Sequence, residues 1–181
     1  MEHFDILDEN GKKTGQVKLR IDVHKDGDWH KAVHVWIINP SGDLLLQRRS
    51  TNKETYPNMW DISSAGHISA GDDPISSAIR ETEEELGLTL GEDEFEYLFT
   101  IKSQSILHEG KYINNELDDI YLVEDDFDIS ILNFNDGEVS EVKWMHYAEY
   151  EKHIDDKDPE YVPWSKEYKE KFFAILRERF P

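Results

Sequence analysis

The apolar-rich run at residues 32–38, followed by Pro40-Ser41-Gly42-Asp43 and a second extended run at 44–48, predicts two strands joined by a turn. Upstream, residues 4–7 and 15–17 flank the turn-like Glu9-Asn10-Gly11-Lys12 and predict an N-terminal hairpin spanning about 4–17. A polar connecting stretch follows at 22–29, a loop at 51–58, and a short extended piece at 59–62. Further strands are expected at 95–102, 120–123 and 139–145.

Two segments carry helical patterning. Ala78, Ile79, Thr82 and Leu86 make a mostly apolar stripe; Asp73 can cap its start, Pro74 suits the first turn, and Gly87 suits a left-handed end. Pro163-Trp164 opens a last helix at about 164–180, in which Trp164, Tyr168, Phe172, Leu176 and Phe180 recur every four residues. That stripe reads as core, and it leaves a homodimer open. Short strands with few helices indicate the α/β class, a mixed sheet covered by helices. Residues 1–181 read as one domain, with 155–163 as a loop before the final helix.

Composition narrows the chemistry. There is no cysteine, which excludes disulfides, thiolate catalysis and cysteine–zinc sites. No apolar run is long enough to span a membrane, and the acidic start lacks a signal-peptide core, so a cytoplasmic protein is expected. Forty acidic residues against 20 Lys+Arg give a formal net charge of −20. Nucleic acid polymers and anionic membranes are repelled by that field, and bound Mg²⁺ would reverse it locally for a small anion. Much of the acid, including residues 116–119 and 124–128, is expected on solvated surface.

Residues 66–88, GHISAGDDPISSAIRETEEELGL, combine a glycine loop with a helix carrying Glu81, Glu84 and Glu85. Positions i, i+3 and i+4 share one helix face, and three carboxylates there repel unless a cation intervenes. Such a face suits a divalent metal, and a metal suits phosphate chemistry. Taken alone, the run Glu83-Glu84-Glu85 would be an ordinary solvated face, and Glu83 is read as one.

The full spacing resembles the signature of the Nudix hydrolase superfamily. Gly66 supplies its first glycine, Arg80 and Glu81 the central pair, and Glu84, Glu85, Gly87 and Leu88 the remainder. Asp72 stands where the family has glutamate, and Thr82 where it has an aliphatic residue. The resemblance implies a Nudix-type α/β/α sandwich and a loop–helix–loop that binds Mg²⁺ or Mn²⁺. It implies Glu81, Glu84 and Glu85 as metal ligands, with the Gly66 carbonyl contributing. It implies that Arg80 orients a carboxylate and that Asp72 supports the loop. The implied activity is hydrolysis of a diphosphate linkage in a small substrate, with Glu84, Glu85, Glu116 or another acid outside the box open as general base.

Asp22-Val23-His24, the segment 30–36, residues 44–49, Met59-Trp60-Asp61 and Ala65-Gly66-His67 are similar to the isopentenyl-diphosphate isomerase-like branch of that superfamily. In its isomerases, histidines at the places of His24, His30 and His67 help form a metal site with glutamates, one falling near Glu116. The isomerase also has a cysteine immediately before the glycine-histidine pair, where this chain has Ala65. Alanine cannot transfer a proton, so isomerase activity is disfavoured and a diphosphatase is expected. A non-catalytic diphosphate-binding scaffold is the alternative class. One of Arg48 and Arg49, on alternate faces of their strand, is expected at the substrate phosphates, and Trp60 and Trp164 are pocket candidates. His34 reads as a core or cleft residue, and His108, His146 and His153 as surface or packing.

Overall fold

The computed structural model describes residues 2–134 and 137–181. Nine strands and four α-helices are assigned among them. The N-terminal hairpin pairs β1 (His3–Leu7) with β2 (Lys13–Leu19). The centre of the sheet is β3 (Trp29–Ile38), which pairs antiparallel with β4 (Asp43–Arg49) and β6 (Ser64–His67). It runs parallel to β8 (Tyr112–Glu124), itself antiparallel to β7 (Glu96–Leu107). β4 also pairs with the short β5 (Trp60–Asp61) and with β9 (Val139–His146). One parallel contact among antiparallel ones makes the sheet mixed, as expected.

Alternation along β3 distributes the core to both faces. Trp36 and Ile38 face α3 (Tyr147–Asp155) and α4 (Lys166–Arg179), packing with Tyr150, Tyr168, Phe172 and Leu176. Val33, Val35 and Ile37 face α2 (Pro74–Leu86), packing with Ala78 and Leu86. Full burial of each such side chain contributes about 1.5–3 kcal/mol. The stripe of α4 is thereby packed against the core.

Local chemistry accounts for the bounds of α2. The Asp73 side chain accepts the Ser76 N–H at 3.0 Å, Pro74 fills the first position, and Gly87 closes the helix at φ 72°. A Cβ at Gly87 would also stand 2.9 Å from the Asn133 carbonyl oxygen, so glycine is required there twice over.

Several expectations are corrected. The polar stretch 22–29 is mostly helix: α1 (Arg20–Asp26) buries Val23 against Phe4 and Ile6, so tertiary packing compensates for a weak helical sequence. α3 and β6 carry no pattern that the sequence reading detected. The last helix begins at Lys166, not Trp164, because the Ser165 hydroxyl accepts the Tyr168 N–H at 3.2 Å and sets the start. β7 and β8 are long, with 12 and 13 residues, rather than short. Residues 116–119 are not solvated surface: Glu116, Leu117, Asp118 and Asp119 are all buried because β8 lies between β3 and β7. Asp119 is matched there by Lys31 and Thr100. No described helix is long and apolar enough to cross a membrane.

Candidate metal and diphosphate site

The sheet register assembles the site. Along β3 and β8, His30 lies opposite Glu116 and Ala32 opposite Asp118; along β3 and β6, Ala32 lies opposite His67 and Val33 opposite Gly66. The end of β3 not covered by α4 therefore carries His30, His67 and Glu116 together. α1 adds His24 from the side. Donor atoms of these four residues all lie within 4.8 Å of one another. Two of the elements not expected from the sequence, α1 and β6, complete this group.

Each imidazole is held by its surroundings. His24 Nδ1 lies 2.9 Å from the Arg20 carbonyl oxygen, and His30 Nδ1 lies 3.1 Å from that of Asp28. A carbonyl only accepts, so each Nδ1 carries hydrogen and each neutral ring keeps a lone pair on Nε2. Those two Nε2 atoms are buried without a hydrogen-bond partner. His67 Nε2 is 3.1 Å from Glu116 Oε1. Phe4 stacks on His30 and His67 with centroids 5.0 and 4.7 Å away, and Tyr112 stacks on His24 at 4.3 Å.

Burial disfavours a charge on His24 and on His67: it lowers the His24 pKa to about 4 and also lowers that of His67. Burial alone would raise Glu116, but the adjacent imidazoles of His30 and His67 outweigh it and hold its carboxyl well below the usual range. Three imidazoles and one carboxylate form a donor set that fits a divalent cation, whose binding displaces any hydrogen from the ligating nitrogens.

The glutamates of α2 stand beside this group. Gly66 leaves room for Glu81: a Cβ on Gly66 would lie 1.9 Å from Glu81 Cδ. Burial, reinforced by repulsion from Glu85 and Glu84, pushes the Glu81 pKa up to about 8 against the pull of Arg80. Burial likewise raises Glu85 to about 7. Glu85 Oε2 accepts the Ala65 N–H at 3.1 Å and the Gln47 Nε2–H at 3.0 Å. Glu84 is half exposed and pairs with Arg80 at 3.0 Å. Arg80 also reaches Glu81 at 2.8 Å and the His67 carbonyl at 3.2 Å, joining the helix to the histidine group.

A cleft of about 500 Å³ opens over the site, lined by Gly66, His67, Arg80, Glu81, Glu84 and Glu116. Arg49 and Lys53 line it as well. Arg49 is fixed by Asp61 at 2.9 Å and by Thr55. Arg48 and Trp60, both named as substrate candidates, do not line the cleft. Trp60 is buried in the core beneath Lys143, whose Nζ stands 4.0 Å from the ring centroid, and Arg48 packs on the other side of its strand near Glu141. Trp164 does line the cleft. Asp72 is exposed and outside the lining. Lys53 and Asp118 were not singled out from the sequence; alternation of Glu116, Asp118 and Ile120 along one strand was the signal available for Asp118.

This fold and this box define a Nudix hydrolase. The chain belongs to the NUDIX domain family, whose pattern it matches over residues 28–168. It is 48% identical to Nudix hydrolase 3 of Arabidopsis thaliana over 98% of its own length, and it spans only 24% of that protein. It is 27% identical to isopentenyl-diphosphate Delta-isomerase 1 of Photorhabdus laumondii, covering 99% of this chain and 98% of the relative. A crystal structure of a Deinococcus radiodurans protein shares the fold with a TM-score of 0.72 at 20% identity, covering 99% of this chain and 100% of that one.

Proposed function

We propose that this Nudix hydrolase uses a divalent cation, Mg²⁺ or Mn²⁺, to cleave a diphosphate linkage in a small substrate of the nucleoside diphosphate-X or isoprenoid diphosphate type. The observation that carries the reading is the seating of Glu81 against Gly66 in a cleft that also holds Arg80, Arg49 and Lys53. Carboxylates alone would repel a diphosphate, so the reading needs cations at this place.

Glu81, Glu84, Glu85 and the Gly66 carbonyl are the proposed holders of the catalytic cation, and His24, His30, His67 and Glu116 those of a second. A bound cation would screen the two anions from each other, activate a water molecule and polarise the phosphorus centre. The protein's own part is positioning. Arg49, braced by Asp61 and Thr55, presents a fixed planar fork to phosphate oxygens. Lys53 lies between Glu138 and Glu85 at the rim and adds a positive charge. Arg80 keeps Glu81 and Glu84 on the cleft side of α2. Glu84, Glu85 and Glu116 are the candidates to accept the proton of the attacking water.

Hydrolysis is favoured over isomerisation because Ala65, a cleft residue, offers no ionisable hydrogen where the isomerase branch has its thiol. The test is a phosphate-release screen over a broad diphosphate library, run with Mg²⁺ and with chelator. Metal-dependent turnover of at least one diphosphate is expected. Binding without turnover across the library would replace the enzyme with a diphosphate-binding scaffold.

A further inference from the structure

Where α4 meets the sheet, the cleft is lined by His34, Ser103, Asp118, Trp164 and Tyr168. Asp118 is wholly buried. Its Oδ2 accepts the Ser103 hydroxyl, but its Oδ1 is buried without a partner. A buried carboxylate oxygen is normally paired, and leaving one unpaired is costly.

His34 stands next to it. Trp36 Nε1–H donates to the Tyr168 hydroxyl at 2.9 Å, and His34 Nδ1 lies 3.2 Å from the same hydroxyl. Indole can only donate, which leaves the Tyr168 hydrogen free to go to His34 Nδ1; with that arrangement the ring hydrogen sits on Nε2. His34 Nε2 is 3.9 Å from Asp118 Oδ2, too far for a hydrogen bond. The imidazole edge and the carboxylate thus stand side by side at the cleft wall without satisfying each other, and with hydrogen on Nε2 they are a donor beside an acceptor. Trp164 closes this corner with an apolar ring, stacked on Tyr168 at 4.7 Å and edge-on to His34 at 5.4 Å.

A hydroxyl both donates and accepts, so it completes this pair; a hydrocarbon leaves both members unpaired. Asp118 lies two positions along β8 from Glu116, about 7 Å at strand spacing, within reach of a small group attached to a diphosphate held at the glutamates. We infer that His34 and Asp118 select a hydroxyl-bearing, sugar-like organic group on the diphosphate and discriminate against a plain hydrocarbon chain. The inference rests on the proposed reading that the cleft takes an organic diphosphate, and it narrows that class.

The test uses two ligands that differ by one hydroxyl: dimethylallyl diphosphate and its 4-hydroxy derivative. Dissociation constants are measured calorimetrically with Ca²⁺, independently of turnover, for the wild type, Asp118→Leu and His34→Phe. The wild type is expected to bind the hydroxylated ligand at least tenfold more tightly. Both variants should bring the ratio to within threefold, and Asp118→Leu should bind the hydrocarbon ligand more tightly than the wild type does. Asp118→Leu replaces a half-satisfied buried carboxylate by an apolar side chain of similar size, so it is expected to stay folded; circular dichroism checks both variants. A wild-type ratio near one, or a ratio unchanged in both folded variants, overturns the inference. Loss of the hydrolase reading shows itself separately, as absent or chelator-resistant turnover.

Discussion

The Glu81 carboxylate occupies the space a side chain on Gly66 would need: a Cβ there would stand 1.9 Å from Glu81 Cδ and 2.2 Å from its Oε1. Glycine in this strand thus serves the approach of a helix side chain. Gly66→Ala displaces the far end of a flexible glutamate rather than backbone, so the fold should absorb it at about 1 kcal/mol or less. Turnover should nevertheless fall at least tenfold. Thermal unfolding and initial rates on the same samples separate the two effects.

Glu84 and Glu85 differ in setting although they are neighbours. Glu84 is half exposed beside Arg80, whereas Glu85 is buried and bonded to Ala65 and Gln47. Glu84→Gln should leave stability within about 0.5 kcal/mol of the wild type, as surface changes do. Each of Glu84→Gln and Glu85→Gln should lower turnover at least tenfold. Steady-state rates with Mg²⁺, beside a melting curve, decide; wild-type rates in both folded variants would remove these carboxylates from the mechanism.

The histidine group predicts metal binding that can be read without any substrate. Mn²⁺ should raise the melting temperature of the wild type, since a ligand that binds only the folded state stabilises it by mass action. The increase should shrink in His67→Ala and in Glu116→Gln. Differential scanning fluorimetry across a Mn²⁺ titration, with metal content by elemental analysis after gel filtration, checks it. An equal increase in all three proteins would place the ion elsewhere.

Tyr168 holds His34 and Trp36 through one hydroxyl. Tyr168→Phe leaves an indole N–H and an imidazole nitrogen without that partner, at a cost of about 1–3 kcal/mol for a buried group. Chemical denaturation measures the loss, and an unchanged midpoint would deny the hydroxyl its bridging place.

The legible parts of the fold were those with local signals. Asp73, Pro74 and Gly87 bound α2 by capping chemistry, and the apolar run of β3 marked the central strand. α1 was hidden because Arg20–Asp26 has little apolar periodicity and is held by Val23 packing on Phe4 and Ile6. β6 was hidden because Ser64–His67 owes its extended form to pairing with β3. The site divides the same way. The glutamates of α2 follow a strict spacing along one helix, whereas the burial of Glu116 and Asp118 depends on β8 lying between two distant strands. A local reading sees in residues 116–119 only charge, and charge defaults to surface.

The most direct measurement is the turnover of the wild-type protein on its best diphosphate before and after exhaustive chelation. The account predicts a fall to background and recovery on adding Mg²⁺ or Mn²⁺. Turnover that persists in a sample shown by elemental analysis to be free of divalent metal would contradict it.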